Sequence, residues 1–222
     1  MNKQRGFTLI EIAIVLVIIG LLLGGVLKGQ ELITSARVRN LIAQQDGTKA
    51  AYFGFVDRFR SLPGDYAAAS TNIAGVATGA NGNGNGQIEG TAPATEDIAV
   101  WDHLSKAGFI TGSYTFGTAY TAASAATNPY TAFMVMRFDA IYQGAGTAAR
   151  HNLKTGQQVP ADLLAEIDRK VDDGAPHTGT FRFTVGVGSG AAPDVTKCLG
   201  TGETAWLLTG AIEPNCAGAT LF

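Results

Sequence analysis

The sequence has few basic residues and no basic cluster. Its 16 lysines and arginines are balanced by 18 acidic residues, which gives a formal net charge of −2 over 222 residues. Proteins that bind nucleic acid present a basic face with interleaved aromatic side chains. No stretch of the chain combines these features, so nucleic acid is not expected as a partner.

The sequence also lacks the short motifs of common enzyme classes. It contains no HExxH metal-binding pair, no GxSxG nucleophile turn and no phosphate-binding loop. Its three histidines, His103, His151 and His177, stand in unrelated contexts. We interpret His103 as a partly buried structural residue rather than a catalytic base. The chain is therefore not expected to be an enzyme.

Cysteine is scarce, and the two that occur, Cys198 and Cys216, both lie near the C-terminus. Two cysteines outside the cytoplasm most often pair, and this spacing lets a loop over 198–216 close on itself. On the chain-entropy argument such a bridge contributes about 3 kcal/mol to stability. The alternatives are a metal pair, for which no further cysteine or histidine lies nearby, and a reactive thiol.

Proline is absent before Pro63, and a long apolar segment lies within this proline-free stretch. Residues 7–27 are almost all apolar, apart from Glu11 near their start. A helix needs about 20 such residues to cross the hydrocarbon core of a bilayer. Lys3 and Arg5 precede the segment, so the positive-inside rule places the N-terminus in the cytoplasm and the remainder outside. The sequence predicts a single-pass membrane anchor.

The residues ahead of this segment form a specific pattern, in which Arg5-Gly6 is followed directly by "FTLIEI". This pattern resembles the N-terminus of type IV pilins and of the related type II secretion pseudopilins. In that family a prepilin peptidase cuts after the glycine and methylates the new N-terminus. The resemblance implies a leader over 1–6, cleavage between Gly6 and Phe7, and Glu11 as the fifth residue of the mature chain.

The family resemblance also implies a role for Glu11. A carboxylate inside a membrane helix costs about 2.5–3.5 kcal/mol on insertion scales, so it needs a partner. Removal of the leader would expose an ammonium at Phe7, which could pair with Glu11 of a neighbouring copy and fix its depth. The alternative is a glutamate near enough to the interface to reach water.

The helical pattern continues beyond the membrane segment. Apolar residues recur at helical spacing and form a stripe, comprising Leu32, Ile33, Leu41, Ile42, Tyr52, Phe53, Val56 and Phe59. Pro63-Gly64 is expected to end the helix. We therefore predict a transmembrane half over 7–27, an amphipathic half over 28–62 and a globular head over 63–222.

The head reads as an α+β domain, with an antiparallel sheet packed on the long helix. Strands are predicted within 130–142, 180–188 and 204–210. One helix is predicted from an N-cap at Thr95 to Gly108, and another over 160–173, ended by Gly174. The acidic residues Asp168, Asp172 and Asp173 are interpreted as a solvated helix end, with a second cation site as the alternative.

The tract "GANGNGNGQIEG" in the head has the spacing of an EF-type calcium loop. Asn81, Asn83 and Asn85 fall at its first, third and fifth positions, and Glu89 at its ninth. The three asparagines are neutral amides where such a loop usually has aspartates, and Ala92 stands where the bidentate glutamate is expected. Because neutral ligands bind calcium weakly, a flexible glycine turn is the favoured interpretation and weakly bound calcium the alternative.

These observations favour a non-enzymatic subunit of a type IV pilus-like filament. Its expected partners are copies of itself and related pilins, prepilin peptidase and an inner-membrane assembly platform. Before assembly the chain would span the inner membrane once, with its head in the periplasm, and after assembly the head would be at the cell surface. The C-terminal cysteine pair resembles the disulfide-bounded region of type IV pilins and is less usual in pseudopilins. The alternatives are a pseudopilin in a periplasmic pseudopilus, and a minor pilin or tip adhesin that acts as a binding module.

Overall fold

The structure, a computed structural model, describes residues 8–90, 95–144, 146–186 and 188–222. The chain divides into two compact units, the first ending at Arg39 and the second running from Asn40 to Phe222. Helix α1, Leu9–Phe59, contributes residues to both. It ends before Pro63-Gly64 because Arg60 adopts a left-handed backbone with a φ of 54°.

The second unit is an α+β domain, as predicted. Its other helices within the described ranges are α2 Ala69–Asn72, α3 Glu96–Lys106, α4 Ala161–Val171 and α5 Val195–Cys198, with a 3₁₀ turn at Thr78–Ala80. The strands are β1 Val135–Asp139, β2 Arg150–Lys154, β3 Phe181–Phe183 and β4 Gly218–Leu221. They form one sheet in the order β1-β2-β4-β3, and all neighbours are antiparallel.

The C-terminal part of α1 packs on this sheet. A shared core joins side chains of α1, α3 and the strands, among them Tyr52, Phe55, Trp101, Leu104, Met136 and Leu153. Thr220 on β4 also donates a hydrogen bond to the Oε1 atom of Gln45 at 3.0 Å. The predicted apolar stripe is therefore only partly right. Phe53 is 53% exposed, whereas Phe55, which lay outside the stripe, is fully buried.

The predicted strand at 204–210 is wrong. Gly202, Glu203 and Gly210 all have positive φ angles, so the segment is built of turns. Trp206 makes only an isolated bridge with Leu199 and turns its ring toward Phe183. The other two strand predictions are too long, since only 135–139 and 181–183 pair in the sheet.

Two strands were missed, β2 and β4. The sequence of β2, "RHNLK", is polar, yet Asn152 and Lys154 are fully buried. Lys154 forms an ion pair with Asp139 on β1, and the Nδ2 atom of Asn152 donates to the Oδ1 atom of Asp139 at 3.1 Å. Burial lowers the pKa of Lys154, and the carboxylate of Asp139 opposes that shift. The carboxylate of Asp139 thus provides partners for the two buried polar side chains of β2.

The predicted disulfide between Cys198 and Cys216 is present, with Cα atoms 5.8 Å apart. Leu207 donates its backbone N–H to the carbonyl of Cys198 at 2.9 Å. Cys216 and Val159 exchange two backbone hydrogen bonds, of 3.0 and 3.2 Å. The bridge therefore anchors the 198–216 loop just ahead of β4.

Replacing both cysteines by serine should lower the free energy of unfolding by about 2–5 kcal/mol, because the unfolded chain gains freedom that the bridge removes. The measurement is urea unfolding of the full-length chain in detergent, without reductant. Wild-type protein treated with reductant is the control and should approach the variant. An unchanged free energy would show that the bridge does not stabilise the head.

Candidate functional site

The apolar part of α1 is exposed among residues 8–39, the described part of the first unit. Helix α1 is long and apolar enough to cross a membrane, with a mean hydropathy of 2.8 in its most apolar window. The large apolar side chains between Leu9 and Leu27 are exposed by 46–89%. Contiguous apolar surface of this kind marks contact with a membrane or with other protein chains.

Glu11 forms a capping box with Thr8 at the start of α1. The Oε2 atom of Glu11 accepts hydrogen bonds from the backbone N–H and the hydroxyl of Thr8, both at 2.7 Å. The Thr8 hydroxyl in turn accepts from the backbone N–H of Glu11 at 3.3 Å. Such reciprocal bonds satisfy two N–H groups that the first turn of a helix otherwise leaves unpaired.

Sequence reasoning missed this capping role, although the threonine–glutamate spacing in "TLIE" is its ordinary signal. The carboxylate predicted to serve assembly therefore also serves the helix that carries it. Gly6 and Phe7, the predicted processing and assembly residues, lie outside the described residues.

The Asn/Gly tract wraps around two buried carboxylates. Asp65 accepts backbone N–H bonds from Gly84 at 2.6 Å, from Asn85 at 3.1 Å and from Gly86 at 2.7 Å. Glu96, in the first turn of α3, accepts the backbone N–H groups of two further loop residues, 83 and 89. Burial raises the pKa of Glu96, and these two hydrogen bonds oppose the shift. The backbone N–H groups of the tract therefore bind the carboxylates of Asp65 and Glu96.

The four predicted calcium ligands take part in the same network. Asn81 exchanges hydrogen bonds with Ser70, and Asn83 donates to the Oε2 atom of Glu89 at 2.8 Å. The side-chain oxygens of Asn83 and Asn85 each accept the backbone N–H two residues further on. A calcium site instead needs six to eight oxygen atoms that converge on one point. The observed bonds already occupy these side chains.

His103 holds the start of this loop region in place. Its Nδ1 atom accepts the backbone N–H of Gly64 at 2.9 Å, and its Nε2 atom donates to the carbonyl of Ala80 at 2.9 Å. The ring is fully buried, and burial lowers the pKa of His103. Gly64 has a φ of +89°, and an added Cβ there would lie 2.5 Å from the carbonyl oxygen of Glu96. Only glycine fits this turn.

The interpretation of the acidic cluster near the end of α4 as a solvated helix end needs correction. Asp168, Asp172 and Asp173 lie close together, but Asp168 is fully buried. It accepts hydrogen bonds from the indole N–H of Trp206 at 2.8 Å and from the N–H of Gly174 at 3.1 Å. The cluster therefore organises the turn after α4 and supports the disulfide loop.

The Asn/Gly tract is predicted to bind calcium weakly or not at all, because its oxygens and the nearby carboxylates already accept hydrogen bonds. Calorimetric titration of calcium into the full-length chain in detergent tests this. Submicromolar affinity, abolished by Asn81→Ala or Glu89→Ala, would contradict the prediction.

The neutral His103 should make stability depend on pH. Because its pKa is lowered in the folded state, its contribution is fully present above the unfolded value of about 6.5 and is lost as pH falls below that value. The measurement is unfolding free energy between neutral and mildly acidic pH. His103→Gln, which keeps an acceptor and a donor, should reduce this dependence; part of it should remain because burial also lowers the pKa of His151. An equal slope in the variant and the wild type would overturn the assignment.

Comparison with known proteins gives one match, at the start of the chain. Residues 1–27 match the family model described as the prokaryotic N-terminal methylation motif. No curated protein and no solved structure gives a significant match. The matched segment includes the Arg5-Gly6 pattern and Glu11, together with the exposed apolar part of α1. The chain therefore carries the N-terminal signature of the type IV pilins and pseudopilins.

Proposed function

We propose that this chain is a structural subunit of a type IV pilus-like filament. A prepilin peptidase removes the leader 1–6, and the mature chain polymerises through α1 with copies of itself and related pilins. The assembly is a helical fibre, because head-to-tail contacts that do not close into a ring continue indefinitely. The subunit acts by binding its neighbours and performs no catalysis.

The main support for this proposal is that the methylation motif and the exposed apolar run of α1 end at the same residue. The methylation motif covers residues 1–27, and the run of exposed apolar side chains that follows Glu11 in α1 ends at Leu27, just before the exposed Lys28–Glu31 ion pair. A segment of this length fits a bilayer before assembly. The same surface packs against equivalent segments of neighbours in the fibre.

In this proposal Glu11 has a role both before cleavage of the leader and in the assembled fibre. Before cleavage, its carboxylate caps α1 through Thr8. Cleavage after Gly6 creates an ammonium at Phe7, next to Thr8 in sequence. Pairing of that ammonium with Glu11 of a neighbouring copy sets the depth of each added subunit and offsets the cost of a buried carboxylate.

The disulfide-closed C-terminal loop favours a pilus subunit over a pseudopilin. The Cys198–Cys216 bridge encloses a loop that packs on the head through Trp206. This arrangement resembles the disulfide-bounded region of type IV pilins noted above. The genomic neighbours separate the two assignments, since a retraction ATPase beside the assembly ATPase and secretin favours a pilus.

The leader is predicted to be absent from the mature protein. Mass spectrometry of fibre or membrane fractions should find an N-terminus at Phe7 that carries a methyl group. Replacement of Gly6 should leave the unprocessed chain in the membrane. Fibres built from chains that retain 1–6 would contradict this prediction.

Glu11→Gln should leave processing and membrane insertion intact and abolish fibre growth. Glutamine at this capping position still accepts from the Thr8 N–H, so helix initiation is kept. It loses the charge that pairs with the Phe7 ammonium, and an uncompensated buried charge costs about 3–5 kcal/mol for each added subunit.

The assay for this variant is quantitation of sheared surface fibres beside an immunoblot of the membrane fraction. Glu31→Gln is the matched control, because Glu31 lies on the same helix and, within the described part of the chain, forms an ion pair with the exposed Lys28 alone. It should assemble normally. Normal fibre yield from Glu11→Gln would show that the carboxylate has no role in assembly beyond the cap.

A further inference from the structure

Every Asn-Gly pair in the sequence lies in the Asn/Gly tract, at residues 81–82, 83–84 and 85–86. Such pairs are prone to spontaneous deamidation, because glycine has no side chain to shield its backbone nitrogen. That nitrogen bonds to the Cγ atom of the asparagine and gives up its proton, while the side-chain nitrogen leaves as ammonia. Water then opens the resulting succinimide ring to aspartate or isoaspartate. The tract is therefore a candidate site of chemical modification.

The glycines of the second and third pairs are required by the backbone of the loop. Gly84 has a φ of 74° and Gly86 a φ of 81°, a left-handed region that residues with a side chain rarely adopt. The asparagines that precede them, Asn83 and Asn85, are exposed, so water reaches both. The fold thus places a reactive pair of residues at two exposed positions.

The side chain of Asp65 binds the two glycine nitrogens that would have to react. Its Oδ1 atom accepts the N–H of Gly84 at 2.6 Å, and its Oδ2 atom accepts the N–H of Gly86 at 2.7 Å. Asp65 itself is only 2% exposed. A glycine nitrogen that lost its proton here would become negative beside a carboxylate and would lose a hydrogen bond to a charged acceptor. Both effects oppose the first step of deamidation.

The first Asn-Gly pair is held by other groups. The N–H of Gly82 donates to the backbone carbonyl of Tyr66 at 3.2 Å. The side chain of Asn81 accepts from the N–H of Ser70 at 2.8 Å and donates to its hydroxyl at 3.0 Å. Because neither bond involves the carboxylate of Asp65, this pair serves as an internal reference for the other two.

We propose that Asp65 protects Asn83 and Asn85 from deamidation, and that Asn85 is modified first when this protection is lost. The order follows from the bonds that would remain. The N–H of Gly84 also donates to the backbone carbonyl of residue 65 at 3.0 Å. Within the described part of the chain, the N–H of Gly86 donates to the Asp65 carboxylate alone. This inference concerns the head by itself and is independent of the proposed function.

The experiment incubates the full-length chain in detergent at mildly alkaline pH and localises deamidation by peptide mapping with tandem mass spectrometry. In the folded wild type, Asn83 and Asn85 should react at least about tenfold more slowly than in the same chain unfolded in guanidinium chloride. Asp65→Asn keeps the shape of the side chain but loses its charge. This variant should react at Asn85 at least about tenfold faster than the folded wild type. The rise should be smaller at Asn83 and absent at Asn81.

Glu89→Gln is the matched control, because it removes a negative charge from the same tract. The Glu89 carboxylate accepts from the side chain of Asn83 at 2.8 Å and, among the described residues, from no glycine N–H. The control should therefore react as the wild type does. A rise in Glu89→Gln equal to that in Asp65→Asn would assign the effect to local charge and overturn the proposal.

Three further results would overturn the proposal. The first is an equal rate at Asn85 in Asp65→Asn and the wild type. The second is a folded wild type that reacts at Asn85 as fast as the unfolded chain. The third is an equal rise at Asn81, Asn83 and Asn85 in the variant, because a general loosening of the head, and not the loss of two bonds to Asp65, would then explain the reaction.

Discussion

The uncovered apolar surface of α1 is the constraint on which the rest of the chain depends. Within residues 8–39, the described part of the first unit, no residue covers the large apolar side chains between Leu9 and Leu27. A surface of this size is unfavourable in water and is typical of a segment that contacts a bilayer or other chains. The capping box of Thr8 and Glu11 completes the first turn of this helix and places a carboxylate where the surroundings are otherwise apolar.

The second unit has an apolar core, and it also buries several carboxylates that connect its loops. Within the described ranges these are Asp65, Glu96, Asp97, Asp102 and Asp168. Each accepts hydrogen bonds or pairs with a cation, as Asp97 does with Arg137 and with the hydroxyl of Tyr120. Strands of three to five residues make few ladder bonds. The buried carboxylates supply the missing connections between loops, and each would be costly to leave without its partners.

The predictable parts of the fold are those whose signals are local. Helix α1 follows from an apolar run and a helical stripe, and α3 and α4 end near Gly108 and Gly174, whose positive φ angles suit a helix end. Strand β2 was not predicted because the burial of Lys154 depends on Asp139, a contact between different strands.

In the candidate sites, too, only the features with a local sequence signal could be predicted. The spacing of Thr8 and Glu11 carries a local signal for the cap, whereas Glu96 becomes an anchor of the Asn/Gly tract only through bonds to residues earlier in the chain. Trp206 looked like part of a strand, but its indole is directed toward Asp168, 38 positions away. No periodic pattern encodes such long-range polar contacts.

The proposed pairing of Glu11 with the Phe7 ammonium of a neighbouring copy is a contact between chains that can be observed in the assembled fibre. Electron cryomicroscopy of purified filaments tests it most directly, because it locates the carboxylate relative to each neighbouring copy. In such filaments we expect the Glu11 carboxylate within about 4 Å of the Phe7 nitrogen of an adjacent subunit, the distance of an ion pair. Filaments in which Glu11 contacts only its own Thr8, with every Phe7 nitrogen elsewhere, would contradict it.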